Sequence, residues 1–435
     1  RRPTVADMPG RITFAVTAAP SLAVIVGHVD NLARLGWHVD VVVGEEVDPA
    51  LFPRADVHVL PMSRGTSPAA DARALAKWTT LLYRLRTDVL VAANPKASVL
   101  ALTAARMVGV QHRVWWVWDL RHHSRAGRFR RRVQLAADRL ATVTVAGSSS
   151  LADAVVAAGA RRRPLVLGFG AVAGVDLDVF YPAGEHPLDA RPPATAGATE
   201  QPAWAAVPPR ITPTPTAPPT ALCAGRLGGD KGLDYLTEVW PQVQAAVPEA
   251  RLIIAGEPDP LDPPGAALEF LTAHPGVTTL GYVDDLADLL RHATVLLEPT
   301  AHDWLPEVVL EASAVGVPTV GWDVAGLRDA VADHETGYLL PRDDVAGFID
   351  ATAALLADPG LAATMGAAAR TWVAGRFERG VVEDLFAELI AGLMSDGRPL
   401  AAPADDADQA DQAVDLRQGH RGPSSTVVES TRTRD

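Results

Sequence analysis

The chain has 435 residues, 48% of them hydrophobic and 21% charged, which is enough for two domains with sizeable cores and excludes wholesale disorder. Its single cysteine, Cys223, excludes an internal disulfide framework, and no Cys/His cluster has the spacing of a zinc site. The net charge of −13 is unevenly divided: residues 1–182 hold 23 basic and 14 acidic residues, whereas residues 183–435 hold 16 and 38. The first part can therefore face an anionic partner, such as nucleic acid or a membrane surface, and the second part cannot do so broadly.

The longest apolar stretch covers residues 13–27 and contains Pro20. It is too short to span a bilayer, and it continues into a strand-and-helix pattern instead of the cleavage site of a signal peptide. We therefore expect a soluble, cytoplasmic protein.

Buried strands alternate with helices through the first part of the chain. One helical pattern ends at Gly36, and two others cover residues 97–108 and 149–158. A further, arginine-rich helix lies between the predicted strands at 113–117 and 142–146. This alternation predicts a parallel sheet with helices on both faces. The predicted strands are residues 12–16, 39–43, 88–92, 113–117 and 142–146.

The alternation stops at residues 183–219, of which ten are proline, and this composition is typical of a linker. It restarts in residues 220–394, and residues 395–435 are polar enough to predict a disordered tail. Two parallel-sheet domains, 1–182 and 220–394, place a cleft between the carboxyl ends of their strands, where such sheets bind ligands. The second domain has predicted strands at 221–224, 251–255, 277–280 and 295–297 and closing helices at 345–357, 361–374 and 381–394.

A glycine-rich turn follows the first strand of the second domain, in the order Gly225-Arg-Leu-Gly-Gly-Asp-Lys-Gly232. Such a turn before a helix presents backbone amides that suit a phosphate, and Arg226 and Lys231 can hold diphosphate oxygens. No G-x-x-x-x-G-K-[ST] is present, which excludes a nucleoside-triphosphatase loop. Lys231 is one of only three lysines beside 36 arginines. Taken alone, the turn is equally consistent with an ordinary surface turn.

A second cluster, from Asp303 to Gly316, follows the strand at 295–297. Pro306 is well placed as the first helical residue, so Asp303 is expected in the loop before a helix N-terminus. Glu311 then lies about 7 Å further along the helix axis, and the two acids could hold separate hydroxyl groups of one long ligand. Alternatively, this is an amphipathic helix with solvated Glu307 and Glu311.

Taken together, these segments resemble glycosyltransferase family 4, whose members have the GT-B fold of two Rossmann-like domains facing a cleft. Residues 225–232 resemble the G-R-L-x-x-x-K-G element of the family, and residues 303–311 resemble its E-x7-E element. The capsular-polysaccharide branch is the most similar. Its other segments correspond to Asn94-Pro-Lys-Ala97, Gly326-Leu-Arg-Asp-Ala-Val331 and the hinge strand at 166–180.

The resemblance implies a metal-independent transfer of a sugar from a nucleotide-sugar donor with retention of configuration and without any cofactor, and we expect a UDP-linked donor. Arg226 and Lys231 would hold the donor diphosphate and stabilise its developing charge, because fixed cations can replace a metal ion. Glu311 would bind the ribose hydroxyls and Asp303 would lie beside the transferred sugar, with no protein nucleophile required. The further residues assigned to donor binding are Gly225, Gly256, Trp304, Leu305, Pro306 and Glu307.

Four residues depart from the family pattern. Asp303 replaces a glutamate, Trp304 replaces a glycine that lets the sugar approach the backbone, and Trp118 and Asp119 stand where a histidine and a glycine are common. A tryptophan can stack on a sugar or lipid but cannot move a proton. The residues assigned to the acceptor side are Pro20, Ser21, His28, Trp118 and Arg121.

Seven arginines lie between residues 121 and 139, interleaved with apolar residues. Such a segment favours contact with an anionic membrane surface, or with the diphosphate of a polyprenyl-linked acceptor, and would place the protein peripherally on the inner face of the plasma membrane. A solvated arginine-rich helix is the alternative. Nucleic-acid binding is not expected, because no recognised binding module accompanies the charge.

We therefore predict a retaining glycosyltransferase that extends a cell-envelope or lipid-linked glycan. One alternative is a nucleotide-sugar-binding protein without turnover, suggested by Trp118 and Trp304. The other is a nucleotide-sugar epimerase or NAD-dependent enzyme, against which the loop at residues 17–22 lacks a G-x-G-x-x-G sequence.

Overall fold

The computed structural model describes residues 10–16, 21–61, 67–120, 134–184, 218–260 and 262–396. Most of the predicted linker, nearly all of the predicted tail and residues 121–133 of the arginine-rich segment lie outside the described residues. The described part contains two parallel β-sheets with helices on their faces, which confirms the predicted α/β class with two Rossmann-like domains.

Seven strands of the described chain form the first sheet, and all of their pairings are parallel. They are β1 (Arg11–Ala15), β2 (His38–Val43), β3 (Asp56–Val59), β4 (Val89–Ala92), β5 (His112–Val117), β6 (Val143–Ala146) and β7 (Leu165–Val166). Their order is β3-β2-β1-β4-β5-β6-β7, so the winding direction reverses between β1 and β4. The central strands are rich in valine and buried on both faces, as expected for a sheet covered by helices on both sides.

Five helices are described between the strands of the first sheet. They are α1 (Leu22–Arg34), α2 (Pro68–Leu85), α3 (Pro95–Val108), α4 (described over residues 134–140) and α5 (Ser149–Ala157). Helix α3 ends at Gly109, whose φ of +82° is readily adopted only by glycine. Helix α5 begins after Ser148, whose side chain accepts a hydrogen bond from the amide of Leu151.

After residue 217, the described chain forms a second sheet of six parallel strands. They are β8 (Thr220–Ala224), β9 (Arg251–Ala255), β10 (Val277–Gly281), β11 (Val295–Glu298), β12 (Thr319–Trp322) and β13 (Gly337–Leu340). Their order is β10-β9-β8-β11-β12-β13, and the winding direction reverses between β8 and β11. In open α/β sheets, ligands bind outside the carboxyl ends of the strands at such a switch point.

The α-helices described after residue 217 are α6 (Leu233–Ala246), α7 (Ala266–Thr272), α8 (Leu286–Arg291), α9 (Glu307–Ala314), α10 (Ala325–Ala330), α11 (Val345–Ala357), α12 (Pro359–Ala374) and α13 (Arg379–Asp396). In the part of the chain that the structure describes, no single helix is long and apolar enough to cross a membrane, although the bent pair α11 and α12 passes on length and composition.

Helix α13 packs on the first sheet, although the sequence analysis assigned residues 381–394 to the second domain. Its apolar side chains, including Phe386 and Ile390, are buried in the same cluster as Phe14 of β1 and Ile25 of α1. The predicted boundary is therefore wrong for this helix, which follows the second domain in sequence but packs on the first. It does so because its apolar face completes the core beside α1. The hinge segment is attached to the start of this helix through a hydrogen bond from the amide of Arg379 to the carbonyl oxygen of Val175.

Candidate donor site at the switch point of the second sheet

The two motif clusters lie on neighbouring strands. The glycine-rich turn leaves the carboxyl end of β8, and the loop that carries Asp303 leaves the carboxyl end of β11. These are the strands between which the winding direction reverses, so both loops lie at the switch point. Sequence spacing alone predicted this edge of the sheet, and the topology brings the two clusters together there.

Close backbone approaches or positive φ values explain why glycine occupies two positions of the turn and the residue after β9. A Cβ on Gly256 would lie 1.8 Å from the carbonyl oxygen of Gly225, and one on Gly232 would lie 1.9 Å from that of Pro299. Gly225, Gly232 and Gly256 also have φ values of +132°, +71° and +140°, which disfavour other residues. Gly225 and Gly256 were assigned to donor binding, and the structure gives both of them a backbone reason to be glycine.

Lys231 is the centre of the site. Its ammonium group lies 2.9 Å from Oε1 of Glu298 and 3.0 Å from Oδ2 of Asp303. Burial opposes the charge on the ammonium, but the two carboxylates outweigh this effect and raise the pKa of Lys231 above its ordinary value. Burial also raises the pKa of Glu298, which is only 2% exposed, against the opposing effect of Lys231. A protonated lysine is therefore fixed at the switch point.

Arg226 extends from the same turn and is half exposed. Its guanidinium group forms ion pairs with Asp259, and with Asp230 at a distance of 4.0 Å. A planar guanidinium presents five donors, so it can bind a phosphate while it keeps a carboxylate partner. Arg226 and Lys231 thus supply two fixed positive charges from one turn.

The acids on α9 lie in an environment that favours their protonated form. Burial first, and then the charge of Glu307, raise the pKa of Glu311 to about 7, while Arg379 opposes this change. Desolvation also raises the pKa of Glu307. Its side chain is exposed to solvent, but protein atoms surround it closely enough to disfavour the charged form. Asp303, which contacts Lys231, acts electrostatically on Glu307, and Glu307 acts in the same way on Glu311.

The loop before α9 differs from the expectation at one residue. Pro306 is the residue before the helix, with φ −70° and ψ 116°, and the helix begins at Glu307, so the predicted start is wrong by one position. Leu305 is half buried in the core of the second domain. Neither side chain offers a polar group, so the assignment of both to donor binding depends on shape alone.

Trp304 points toward the first sheet. Its indole is 8% exposed and packs in the apolar cluster that contains Ala15 of β1 and Trp115 of β5. The indole N–H donates a hydrogen bond of 3.0 Å to Oδ1 of Asp119. The loop that carries Asp303 is therefore in direct contact with the first domain.

The structure describes only some of the residues that were predicted for the acceptor side. Pro20 and Arg121 lie outside the described residues. Ser21 precedes α1, and its hydroxyl accepts a hydrogen bond of 3.2 Å from the amide group of Asn94, at the switch point of the first sheet. Trp118 is half buried, with its ring edge against Trp116.

His28 is not an acceptor contact, and this prediction is wrong. The side chain is 1% exposed on α1, with Nε2 donating a hydrogen bond of 2.6 Å to the carbonyl oxygen of Val172. Its ring packs edge-on against Trp116 and Phe386, and burial lowers its pKa to about 4. His28 is therefore a neutral core residue that holds α1 to the segment after β7.

Four residues of the site were missed by the sequence analysis. Glu298 is the last residue of β11, and a carboxylate at the end of a buried strand is a readable signal. Asp119, Asp259 and Arg379 come from three distant parts of the chain, and only the fold brings them to this region. Among the described residues, no group of three or more His, Cys, Asp or Glu is arranged to hold a metal ion.

Comparisons with known proteins show which families and folds the chain resembles. Residues 218–358 match the family described as "Glycosyl transferases group 1". CapM of Staphylococcus aureus, a capsular polysaccharide biosynthesis glycosyltransferase, is 22% identical over 382 residues, which cover 86% of this chain and 94% of CapM. The D-inositol 3-phosphate glycosyltransferase of Kribbella flavida is 35% identical over 162 residues, and these span only 37% of its length.

A solved structure is similar over both domains. The chain superposes on Anabaena HepE in complex with UDP and glucose with a TM-score of 0.69 at 16% identity, covering 89% of this chain and all of HepE. At this identity the likeness establishes the GT-B fold alone. The residues around Lys231 fall inside the segment that matches the family, so the candidate site and the family assignment rest on the same part of the chain. Residues 218–358 therefore match the glycosyl transferases group 1 family, and the described chain has the GT-B fold.

Proposed function

We propose that this protein transfers a sugar, with retention of configuration, from a nucleotide-sugar donor to a cell-envelope or lipid-linked glycan. The observation that carries the proposal is the ammonium group of Lys231, held between Glu298 and Asp303 at the switch point of the second sheet. A buried cation at this place can stabilise the negative charge that develops on a leaving diphosphate. Arg226, on the same turn, supplies a second cation for it.

The proposed donor extends from the glycine-rich turn to α9. Its diphosphate binds Arg226 and Lys231, and its ribose hydroxyls donate hydrogen bonds to Glu311. The leaving phosphate takes the acceptor proton, so we assign no protein nucleophile. Burial raises the pKa of the Cys223 thiol to about 12, which is consistent with this view because a protonated thiol is a poor nucleophile.

A nucleotide screen tests the donor assignment. We expect UDP and UDP-sugars to raise the melting temperature, because a ligand at a hundred times its Kd adds about 2.7 kcal/mol to the free energy of unfolding. The choice of UDP is supported by HepE, whose structure contains it. The measurement is thermal unfolding with UDP, GDP, ADP and NAD, together with the variant Arg226→Ala, in which the UDP effect should be much reduced.

The matched control for this screen is Arg251→Ala, at the opposite end of the second sheet, where an exposed arginine begins β9. It should keep the full response to UDP. Stabilisation by NAD with no response to any nucleoside diphosphate would contradict the proposal and favour the NAD-dependent alternative.

The proposed acceptor side includes an anionic membrane surface or the diphosphate of a polyprenyl-linked glycan, bound by the arginines of residues 121–139. The likeness to a capsular polysaccharide glycosyltransferase supports an acceptor of this class. Each arginine near anionic lipid contributes about 1 kcal/mol, so replacing six of them by glutamine should abolish co-sedimentation with anionic liposomes at low salt. Replacing the exposed Arg161 and Arg162 is the control, and unchanged co-sedimentation of the first variant would exclude membrane contact through this segment.

One observation favours the second candidate, a nucleotide-sugar-binding protein without turnover. Both carboxylate oxygens of Asp303 are already engaged, Oδ2 by Lys231 and Oδ1 by the backbone amide of Trp304 at 2.7 Å. An acid held in this way has less freedom to follow a reacting sugar. Variants of Lys231 distinguish an active transferase from a binding protein without turnover.

A further inference from the structure

The loop between β11 and α9 is attached to the first domain by a buried tryptophan. Trp304 follows the second sheet, but its ring belongs to the buried apolar cluster that also contains Ala15 and Trp115 of the first sheet. Its indole N–H donates to Oδ1 of Asp119, which follows β5. The carbonyl oxygen of Asp119 in turn accepts a hydrogen bond of 2.8 Å from the side chain of Gln134, so the acceptor residue is itself fixed.

The hydrogen bond of Trp304 distinguishes it from six other tryptophans of the described chain. The indole N–H groups of six others are buried without a hydrogen-bond partner among the described residues: Trp37, Trp78, Trp118, Trp240, Trp322 and Trp372. Ordinary packing of tryptophan in this protein therefore does not require a partner for this group. The bond from Trp304 joins two domains, and it links two side chains 185 residues apart in sequence.

The attached loop has little freedom to move independently of its neighbours. Asp303 accepts hydrogen bonds from Lys231, from the amide of Trp304 and, through its carbonyl oxygen, from the amide of Gly326 at 3.0 Å. A Cβ on Gly326 would lie 2.5 Å from the carbonyl carbon of Trp304, so α10 lies directly against the loop. A displacement of Trp304 must therefore displace Asp303, and with it the partner of Lys231.

A second pair of contacts joins the domains beside this loop. The hydroxyl of Ser150, on α5 of the first domain, donates a hydrogen bond of 2.7 Å to the carbonyl oxygen of Ala325. The amide of Ser150 donates one of 2.9 Å to Oδ2 of Asp329. Ala325 and Gly326 are neighbours on α10, and Gly326 lies against the loop, so these contacts join the first domain to a helix that packs on the loop carrying Trp304.

We propose that Trp304 is a positioning residue that makes the placement of Asp303 and Lys231 depend on contact between the two domains. The inference rests on the proposed function, since it assigns Lys231 to the donor diphosphate. When the domains are in contact, the bond from Trp304 to Asp119 holds Asp303 against Lys231. When they separate, the loop loses this restraint, and transfer slows although the nucleotide still binds to the second domain.

The variant Trp304→Phe tests this coupling because it keeps a buried aromatic ring and removes the indole donor together with part of the ring. We expect the turnover rate to fall about tenfold, while the Kd for UDP changes less than twofold. Asp119→Ala also removes this bond, so the loss of activity in the double variant should be smaller than the sum of the two single losses. Asp119→Asn keeps an acceptor oxygen and should lose less activity than Asp119→Ala.

Hydrogen–deuterium exchange supplies a readout that does not depend on catalysis. In Trp304→Phe, we expect the amide of Ser150 to exchange at least fivefold faster, since it is protected by Asp329 across the same contact. Trp372→Phe is the matched control, because its indole N–H has no hydrogen-bond partner among the described residues, and exchange at Ser150 should not change.

The results separate this inference from the proposed function. Unchanged exchange at Ser150 in Trp304→Phe, additive effects of the two single variants, or an equal loss of UDP affinity and turnover would overturn the positioning role. If the wild-type protein binds no nucleoside diphosphate, the proposed function fails instead. The exchange experiment then still decides whether Trp304 holds the two domains together.

Discussion

Lys231→Ala is expected to slow the breaking of the bond between the sugar and the diphosphate of the donor about a thousandfold. This is equivalent to a loss of about 4 kcal/mol of transition-state stabilisation. The physical reason is that the ammonium group, held by Glu298 and Asp303, is the buried positive charge nearest to the proposed leaving diphosphate. Without it, two carboxylates remain beside the departing phosphate and repel it. The measurement is kcat/KM for the nucleotide sugar that the wild-type protein turns over.

The same substitution leaves Glu298 buried without its partner, which is expected to cost about 3–5 kcal/mol of folding free energy. The double variant Lys231→Ala with Glu298→Gln removes this buried charge and should fold, yet it should remain as inactive as the single variant. Lys77→Ala, on the exposed face of α2, is the control for the loss of a lysine and should retain full activity.

These variants also decide between an enzyme and a binding protein. If the protein only binds nucleotide sugars, Lys231→Ala weakens the affinity for UDP and there is no turnover to lose. If the folded double variant retains more than a tenth of wild-type turnover, Lys231 is not the residue that stabilises the leaving group.

Glu311→Gln is expected to weaken UDP binding at pH 8 about tenfold to thirtyfold, because hydrogen bonds from ribose hydroxyls to a charged carboxylate are replaced by weaker ones to an amide. The same variant should be more stable than the wild type at pH 8. The pKa of Glu311 is raised to about 7 by burial, from an ordinary value of 4.5, so its ionised form destabilises the native state. Isothermal titration and thermal unfolding at pH 5 and pH 8 measure the two effects.

The sign of the pH dependence follows from this raised pKa. Below pH 4.5 the carboxyl is protonated in both the folded and the unfolded chain, and it does not affect their difference in free energy. The penalty grows between pH 4.5 and 7 and then stays constant, reaching at most about 3 kcal/mol. The stability gain from Glu311→Gln should therefore be larger at pH 8 than at pH 5.

UDP binding to the wild type should weaken as the pH falls below 7, and the variant should lack this dependence. The carboxyl control is Glu388→Gln, on the exposed face of α13, which should change neither stability nor affinity. An unchanged UDP affinity in Glu311→Gln would mean that the ribose is bound elsewhere.

Much of the fold could be predicted because strongly apolar strands alternate with helices. The predicted strands at 39–43, 113–117 and 251–255 agree with β2, β5 and β9 to within one residue. Strand β3 was missed because it is a four-residue edge strand in which Asp56 and His58 alternate with valine, and an exposed edge requires no apolar run. Strand β12 was missed because Gly321 interrupts it, and tertiary burial overrides its weak local preference.

The site could be predicted only where one segment carries the chemistry. The turn that holds Arg226 and Lys231 is contiguous, so its residue types and spacing could be interpreted directly. The partners that determine how Lys231 behaves lie 67 and 72 residues further along the chain, and their distances depend on how β8 and β11 pair. The burial of His28 depends on α13, which no local pattern around α1 reveals.

We propose that Arg226, Lys231 and Glu311 bind one nucleoside diphosphate at the carboxyl edge of the second sheet. A crystal structure of the protein with UDP would test this arrangement. We expect phosphate oxygens within hydrogen-bond distance of Arg226 and Lys231, and ribose hydroxyls within that distance of Glu311. A nucleotide bound at the first sheet, or one that leaves Lys231 in contact with Glu298 and Asp303 alone, would contradict it.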